Sequence, residues 1–281
     1  MPIAYINGTH LHYDIKGDGV PIIFIHPPLL TSANFRYQQV QLSSNFQIIT
    51  FDIRGHGQSA ASKEVLTYPL IVEDIRQLMN MLGIKKAYLC GYSTGASIVL
   101  EALLTNPDRF FGGILVSGMS EVHNSILKLR LVLAAFFSRQ KWSRKLLSYV
   151  ITSGNADIKQ SYRNMYSSAI KGSFQNISQY YEYSLRYNAT NRLAHILQPV
   201  LVMYGSLDRN FAKHANRMSS KIPHAEEFVV AGMKHQIPTK AASIMNNKIR
   251  KWINSQVPDD PNESIWPHDA GEDQQVEQAR Q

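Results

Sequence analysis

The segment Gly91-Tyr92-Ser93-Thr94-Gly95 has the residue types and spacing of a turn that presents a serine nucleophile. An apolar stretch that ends at Cys90 precedes it, and a stretch with helical spacing of apolar residues follows it from Ala96. A G-x-S-x-G nucleophile turn requires this strand–turn–helix context, and its glycines allow a tight, strained backbone. The pattern therefore predicts Ser93 as a nucleophile, with the backbone N–H of Thr94 directed to the same space as the serine oxygen.

A serine hydroxyl becomes a good nucleophile when a neighbouring base takes its proton and a carboxylate orients that base. Downstream of Ser93, Asp208 follows the apolar stretch 200–204, and His235 follows the stretch 227–230. Active-site loops lie at the carboxyl ends of parallel strands, so this order predicts that the three side chains meet as a Ser-His-Asp triad. The same pattern leaves one alternative acid and two alternative bases open: Glu121, His214 and His224.

Such a site needs a sheet that brings several strand ends together. Four short apolar stretches in the first 120 residues are bounded by turn residues and are typical of buried parallel strands: 20–25, 46–51, 87–90 and 113–116. Apolar residues at helical spacing lie between them, at 71–82 and 98–103. This alternation predicts an α/β fold with a mostly parallel central sheet and helices on both faces. Asn7-Gly8 predicts an antiparallel hairpin ahead of it.

The alternation stops after residue 120 and resumes at residue 198. Four helices are predicted in between, at 126–137, 146–151, 162–170 and 180–187, and a closing helix at 241–253. We therefore expect a core domain formed by 1–120 and 198–256 and an inserted helical cap at 121–197. Residues 257–281 are rich in proline, acidic residues and glutamine, and we expect them to form a disordered acidic tail.

Composition restricts the class of protein. The chain has 281 residues, 44% of them hydrophobic and 18% charged, which is typical of a globular domain. Its one cysteine, Cys90, excludes a disulfide framework. No apolar stretch reaches the roughly 18 residues of a membrane span, and the N-terminus does not resemble a signal peptide, so we expect a cytoplasmic location.

The formal net charge of +8 is unevenly spread: residues 121–197 contain 11 basic and 3 acidic side chains, residues 198–256 contain 9 and 3, and the acidic residues 257–281 offset part of this excess. A basic surface can bind nucleic acid, but no nucleic-acid motif accompanies this one, so a solvated basic face is favoured and no nucleic-acid partner is expected. The sequence contains no metal-ligand cluster, phosphate-binding glycine loop or dinucleotide fingerprint, and no cofactor is predicted.

Together with the serine turn, the segment Asp52-Ile53-Arg54-Gly55-His56-Gly57-Gln58-Ser59 resembles the D-x-R-G-H-G-x-S loop of the cap-bearing branch of the α/β-hydrolase superfamily. The resemblance covers about residues 8–255. It implies the α/β-hydrolase fold and assigns the loop a packing role near the active-site rim. In this branch, a glycine and an oxyanion-hole residue usually follow the histidine that aligns with His26.

Here His26 is followed by Pro27-Pro28-Leu29. An oxyanion hole needs preorganised donors, and proline has no backbone N–H, so neither proline can serve. We assign the two donors to the backbone N–H groups of Thr94 and Leu29. The alternatives are a hydroxyl from a nearby side chain, or Thr94 acting alone; the hydroxyl candidates are Thr31 and Ser32.

A serine nucleophile implies attack on a carbonyl and an acyl-enzyme intermediate. The resemblance therefore implies a carboxylesterase-like serine hydrolase acting on a carboxylic ester, a thioester or a lactone, and argues against the aspartate-dependent dehalogenases and epoxide hydrolases. Large apolar residues interspersed with Lys128 and Arg130 in the cap are explained by packing of the cap onto the core. The alternative is an apolar lid over the pocket of a small acyl substrate that is apolar or anionic. The alternative function is a ligand sensor or signalling partner with slow or no turnover, because Pro27-Pro28 alters the oxyanion loop.

Overall fold

The computed structural model describes residues 2–256, and the eight strands in this part of the chain form one sheet. The sheet order is β1-β2-β4-β3-β5-β6-β7-β8. The strands are β1 (Ile3–Ile6), β2 (Thr9–Lys16), β3 (Val20–Ile25), β4 (Phe46–Phe51), β5 (Ala87–Tyr92), β6 (Phe110–Val116), β7 (Val200–Gly205) and β8 (Ala225–Val230). Antiparallel pairing joins β1 to β2 and β2 to β4, and the other neighbours are parallel. The mostly parallel sheet and its leading hairpin are confirmed.

Helices cover both faces of the sheet. They are α1 (Arg36–Leu42), α2 (Tyr68–Met81), α3 (Thr94–Thr105), α4 (Ser125–Arg139), α5 (Lys141–Asn155), α6 (Lys159–Ala169), α7 (Phe174–Arg186), α8 (Arg209–Ser219), α9 (Ile237–Lys240) and α10 (Ala242–Asn254). Apolar residues of α2, α3 and α8 pack on one face of the sheet, and those of α10 pack on the other. The two-sided arrangement predicted from the sequence is confirmed, whereas α1, α8 and α9 were not predicted.

Between β6 and its parallel neighbour β7, the chain runs through α4, α5, α6 and α7. Within this insertion α4 packs against α7 and α5, and α5 packs against α6. A separate apolar cluster joins α4 and α7 to the sheet edge through Leu29, Met119 and Phe211. The division into a core domain and a cap stays a prediction, and the predicted disordered tail at 257–281 lies outside the described residues.

Parallel pairing aligns the carboxyl ends of β5, β6, β7 and β8. Tyr92 pairs with Val116 at the end of β5, and Gly205 pairs with Val230 at the end of β7. The loops that follow β5, β7 and β8 therefore open onto the same edge of the sheet. Loops at this edge are where open α/β sheets place their ligands.

Candidate active site

Ser93 lies in the turn between β5 and α3, with φ of 55° and ψ of −120°. A residue with a side chain rarely adopts a positive φ, so this backbone is strained. The flanking glycines make the turn possible. A Cβ on Gly91 would overlap the backbone of Gly95, and one on Gly95 would overlap the carbonyl of Ile25. The sequence pattern and the observed turn therefore agree in detail.

His235 lies between Ser93 and Asp208. Asp208 follows β7 and forms the N-cap of α8, while His235 follows β8 and precedes α9. The Nε2 atom of His235 is 3.1 Å from Ser93 Oγ, and its Nδ1 atom is 2.9 Å from Asp208 Oδ2. The three residues that the sequence predicted to meet do so, although they come from loops up to 142 positions apart. The imidazole is within hydrogen-bond reach of the hydroxyl on one side and of the carboxylate on the other, which is the order that proton transfer in a serine triad would require.

Neighbouring groups hold the imidazole of His235 in place. The ring of Phe211 lies 4.2 Å from it and the ring of Tyr92 lies 5.3 Å from it, centroid to centroid. The Ser117 hydroxyl donates a hydrogen bond to the carbonyl oxygen of His235 at 3.0 Å. Because the base is packed between two rings and tethered at its backbone, its nitrogens stay aligned with Ser93 and Asp208.

A cavity of about 280 Å³ opens above Ser93. Its walls combine loop residues of the sheet edge with residues of α4, α5 and α7, and they are mainly apolar: Pro27, Pro28, Leu30, Tyr92, Thr94, Leu127, Leu131, Ile151, Tyr181 and Phe211. Polar groups at the wall include Asn155, Asn210 and Gln236, and Arg130 supplies a cation. An apolar cleft with a few convergent polar groups is the usual form of a small-molecule site.

The loop after β3 forms one wall of this cavity. Leu29 is fully buried and has a φ of 70°, and no hydrogen bond from its N–H is found within residues 2–256. Its neighbours Pro27 and Pro28 line the cavity together with Thr94. Leu29 itself is not among the cavity-lining residues, so only Thr94 of the two predicted donors reaches the wall next to Ser93.

The hydroxyl alternatives for the oxyanion hole are engaged elsewhere. The Thr31 hydroxyl accepts a hydrogen bond from the N–H of Ala33, and the Ser32 hydroxyl donates to Asp52 at 2.7 Å. Neither residue lines the cavity. Leu29 stays the predicted second donor, because its amide has no hydrogen-bond partner within residues 2–256.

Two tyrosines of α7 hold the loop after β3 through hydrogen bonds to its carbonyl groups. The Tyr180 hydroxyl donates to the carbonyl of His26 at 3.0 Å, and the Tyr181 hydroxyl donates to the carbonyl of Pro28 at 3.4 Å. Proline leaves few backbone donors in this loop, so these hydroxyls bond to carbonyls that would otherwise be buried without partners. The sequence analysis placed both tyrosines in the cap without assigning them this role.

His26 joins the same loop to residues 52–59. Its Nε2 accepts a hydrogen bond from the Ile53 N–H at 2.9 Å, so Nδ1 carries the hydrogen and donates to the Pro27 carbonyl at 2.9 Å. Burial lowers the pKa of His26, against the opposing influence of Asp52, which keeps the ring in this neutral form. His26 thus has a structural role.

Asp52 and Arg54 fix the loop 52–59 internally. Burial disfavours ionisation of Asp52, but hydrogen bonds from groups that include His12 outweigh it and lower the pKa of Asp52 to about 2. Arg54 is buried and donates to Asp74 through Nε at 2.6 Å and through Nη2. Neither Asp52 nor Arg54 lines the cavity, which agrees with the packing role that the sequence implied.

The alternative acid and bases lie away from Ser93. Glu121 pairs with Arg217 and accepts a hydrogen bond from the Asn188 amide at 2.6 Å. His214 lies in α8 with its ring against Phe211, and His224 accepts a hydrogen bond from the Val200 N–H through its backbone carbonyl. None of the three lines the cavity above Ser93.

Sequence reasoning missed two groups that shape the cavity. The Tyr92 hydroxyl donates to Asn155 Oδ1 at 2.9 Å and so joins β5 to α5. Phe211 stands three positions after Asp208, on the first turn of α8, and its spacing to Ala215 and Met218 was a signal that could have identified both the helix and its inward face.

Within residues 2–256, no cluster of three or more histidine, cysteine, aspartate or glutamate side chains is arranged to hold a metal ion. None of the helices in this part of the chain is both long and apolar enough to cross a membrane.

Comparison with known proteins gives one family. Residues 20–238 match the family model for the alpha/beta hydrolase fold. Among curated relatives, the sn-1-specific diacylglycerol lipase ABHD11 of Danio rerio is 32% identical over 105 residues, which are 37% of this chain and 33% of the lipase. The matches to eight of the curated relatives span 25% to 46% of those proteins' lengths.

Solved structures show the same fold over most of the chain. A thermophilic esterase from Thermogutta terrifontis superposes with a TM-score of 0.78 at 20% identity, covering 89% of this chain and 96% of the esterase. The enol-lactonase of Burkholderia xenovorans LB400 superposes with a TM-score of 0.77 at 19% identity, covering 90% of this chain and 100% of the lactonase. At these identities the likeness concerns the fold.

Proposed function

The chain belongs to the α/β-hydrolase fold family, and from that premise we propose that it is a carboxylesterase-like serine hydrolase that cleaves a carboxylic ester, a thioester or a lactone. The observation that carries the proposal is the continuous chain of hydrogen-bond distances from Ser93 through His235 to Asp208. Nothing in this arrangement requires a cofactor, since the three side chains can supply nucleophile, base and charge compensation.

The proposed reaction has two halves. His235 Nε2 takes the Ser93 hydroxyl proton as Oγ attacks the substrate carbonyl, and Asp208 stabilises the imidazolium that forms. The imidazolium then returns the proton to the leaving alcohol or thiol, which leaves an acyl group on Ser93. In the second half, His235 takes a proton from water as the water oxygen attacks the acyl carbonyl. The imidazolium then returns the proton to Ser93 Oγ, which releases the acid and restores Ser93.

The developing oxyanion needs donors fixed in advance. We propose the Thr94 N–H as the first donor, because it starts α3 directly after Ser93 and lines the cavity. The Leu29 N–H is proposed as the second donor. It would reach the oxyanion if the Pro28–Leu29 peptide turns when substrate enters, a movement restrained by the hydrogen bond from Tyr181 to the Pro28 carbonyl.

The cavity favours small acyl groups. Its 280 Å³ is just below the about 300 to 1,000 Å³ usual for ligand pockets. Leu127, Leu131 and Ile151 offer an apolar wall for a short or medium acyl chain, and Arg130 offers a cation at the same wall. We propose an apolar acyl ester, with Arg130 favouring substrates that also carry a carboxylate.

A fluorophosphonate probe and a series of nitrophenyl esters test the proposal. The probe should label Ser93, and Ser93→Ala should abolish both labelling and turnover, whereas the exposed Ser167→Ala should behave as wild type. Labelling at another serine, or full activity of Ser93→Ala, would contradict the proposal. A single burst of nitrophenol equal to the protein concentration, without further turnover, would favour the sensor function instead.

A further inference from the structure

The solvent side of α4 and α5 carries an unusual concentration of apolar residues. Of the 21 large hydrophobic side chains that are exposed in residues 2–256, ten lie between positions 126 and 150. They are Ile126, Leu129, Val132, Leu133, Phe136, Phe137, Trp142, Leu146, Tyr149 and Val150. We refer to these ten residues as the outer apolar face. Contiguous exposed apolar surface of this kind marks an interaction site in a folded protein.

Helical spacing places the outer apolar face on one side of each helix. On α4, Ile126, Leu129, Leu133 and Phe136 follow each other at intervals of three, four and three residues. On α5, Trp142, Leu146 and Tyr149 follow at intervals of four and three. Only Gln140 separates the two helices, so the two stripes meet at a corner near Trp142.

Packing within the protein does not account for this face. The side of α4 that faces the protein is formed by a different set of residues, which includes Leu131, Ala134 and Ala135. By contrast, Leu129 is 58% exposed, Phe136 is 57% exposed and Trp142 is 72% exposed. The helix is therefore apolar on two opposite sides, and residues 2–256 cover only one of them.

Charge identifies the partner. Residues 125–155 contain six basic residues and no acidic one. At 100° per residue, Lys128 and Arg139 lie along one edge of the α4 stripe and Arg130 lies along the other. Arg139 pairs with Glu182 of α7 and Arg130 lines the cavity above Ser93, which leaves Lys128 of α4 and Lys145 of α5 for an external anion. Apolar residues bordered by cations are the pattern of a helix that lies in the interface of an anionic membrane.

We propose that the outer apolar face docks the protein onto an anionic lipid bilayer. Trp142 would lie at the level of the lipid headgroups, where tryptophan is enriched, and the leucine and phenylalanine side chains would enter the acyl region. Lys128 and Lys145 would face the lipid phosphates.

The position of this face relates it to the cavity above Ser93. Leu127 and Leu131 of α4 and Ile151 of α5 line that cavity from the opposite sides of the same two helices. Only these two helices would then separate an ester dissolved in the bilayer from the cavity above Ser93. This step rests on the proposed function, whereas the docking itself does not.

Binding is tested on the full chain carrying Ser93→Ala, so that lipid hydrolysis cannot interfere. Its cosedimentation is measured with vesicles of phosphatidylcholine alone and with vesicles that also contain phosphatidylserine. We expect at least tenfold tighter binding to the anionic vesicles, and weaker binding as the salt concentration rises. Each basic side chain near the surface contributes about fivefold, so Lys128→Gln/Lys145→Gln should weaken binding about 25-fold, unlike the control Lys63→Gln/Lys251→Gln.

The apolar residues are tested with a matched pair of double variants. Leu129→Ser/Phe136→Ser should lose at least tenfold in vesicle affinity, whereas Leu197→Ser/Ile244→Ser, which alters exposed apolar residues elsewhere, should not. Both double variants are also made in the chain that keeps Ser93. There they should retain the wild-type melting temperature and the wild-type activity on a soluble ester, which shows that they fold.

Absence of vesicle binding by the full chain, or equal losses in the two double variants, would overturn the proposal. A dimer in sedimentation velocity that only Leu129→Ser/Phe136→Ser abolishes, without vesicle binding, would assign the face to a second copy of the chain. An enzyme that binds vesicles but hydrolyses no ester would overturn the proposed function and leave the docking surface standing.

Discussion

Replacing Asp208 with asparagine separates the charge of this residue from its structural role. Asp208 uses its two oxygens differently: Oδ2 faces Nδ1 of His235 at 2.9 Å, and Oδ1 accepts a hydrogen bond from the Phe211 N–H at the start of α8. Asparagine caps a helix as well as aspartate does. Its oxygen should therefore keep the cap, which turns its NH₂ group toward His235.

This orientation forces the wrong tautomer on His235. An NH₂ group donates to Nδ1, so the ring hydrogen must move to Nε2, the atom 3.1 Å from Ser93 Oγ. A protonated Nε2 cannot take the serine proton. We expect kcat to fall about 10⁴-fold, the loss that the same tautomer causes in a serine protease, which corresponds to about 5.5 kcal/mol in activation free energy.

The assay is kcat on a nitrophenyl ester together with the melting temperature. Asp208→Asn should melt like the wild type, whereas Asp208→Ala should also lose the cap, at about 1 kcal/mol. Glu121→Gln is the control, because Glu121 is engaged with Arg217. If Asp208→Asn stays within tenfold of wild type while Glu121→Gln is inactive, then Glu121 is the acid and the reasoning from the hydrogen bonds is wrong.

Three further predictions follow from buried charges and from the cavity wall. Asp74→Asn leaves the buried Arg54 with only the exposed Glu64, 3.9 Å away, as a counter-ion. Urea denaturation should therefore show a loss of about 3 to 5 kcal/mol in unfolding free energy; an unchanged midpoint would contradict this. Burial lowers the pKa of His56 to about 3. In the unfolded chain the His56 imidazole is protonated below about pH 6.5, whereas in the folded chain it stays neutral down to about pH 3. The unfolding equilibrium constant should therefore rise by up to about tenfold per pH unit as the pH falls from 6.5 to 3. His56→Phe should reduce this change in the unfolding equilibrium constant, which denaturation curves at pH 4 and 7 measure. Arg130→Gln should raise KM about tenfold or more for an ester that carries a carboxylate, but not for its neutral analogue, in parallel kinetics of the two substrates.

The central strands β3 to β7 were predictable because burial on both faces makes them mostly apolar. Residues 46–51 were expected as a strand and form β4 with the same bounds. The short helices were not predictable in this way. Helix α9 has four residues, Ile237–Lys240, which is too few for a helical period to appear, and it owes its position to tertiary contacts such as that of Gln38 with the Pro238 carbonyl.

The site was predictable as far as it depends on chain order and strand ends. Ser93, Asp208 and His235 each follow a strand, and a parallel sheet must bring those ends together. The partners of the oxyanion loop were not predictable. Tyr180 reaches His26 from 154 positions away, and no local pattern indicates which carbonyl a cap tyrosine will bind.

Helix α4 shows where periodicity stops being informative. Its sequence is apolar on the side that contains Leu131 and also on the side that contains Leu129 and Phe136, so the pattern alone suggests burial all round. In the folded chain, α7 and the sheet edge cover only the first side. Core packing therefore explains Leu131, but leaves Leu129 and Phe136 exposed to water at a cost in free energy. The uncovered stripe has Lys128 along its edge, α5 carries Lys145, and residues 125–155 contain no acidic residue. This charge pattern favours a covering surface that is apolar in its interior and negatively charged at its boundary, which is the description of an anionic bilayer.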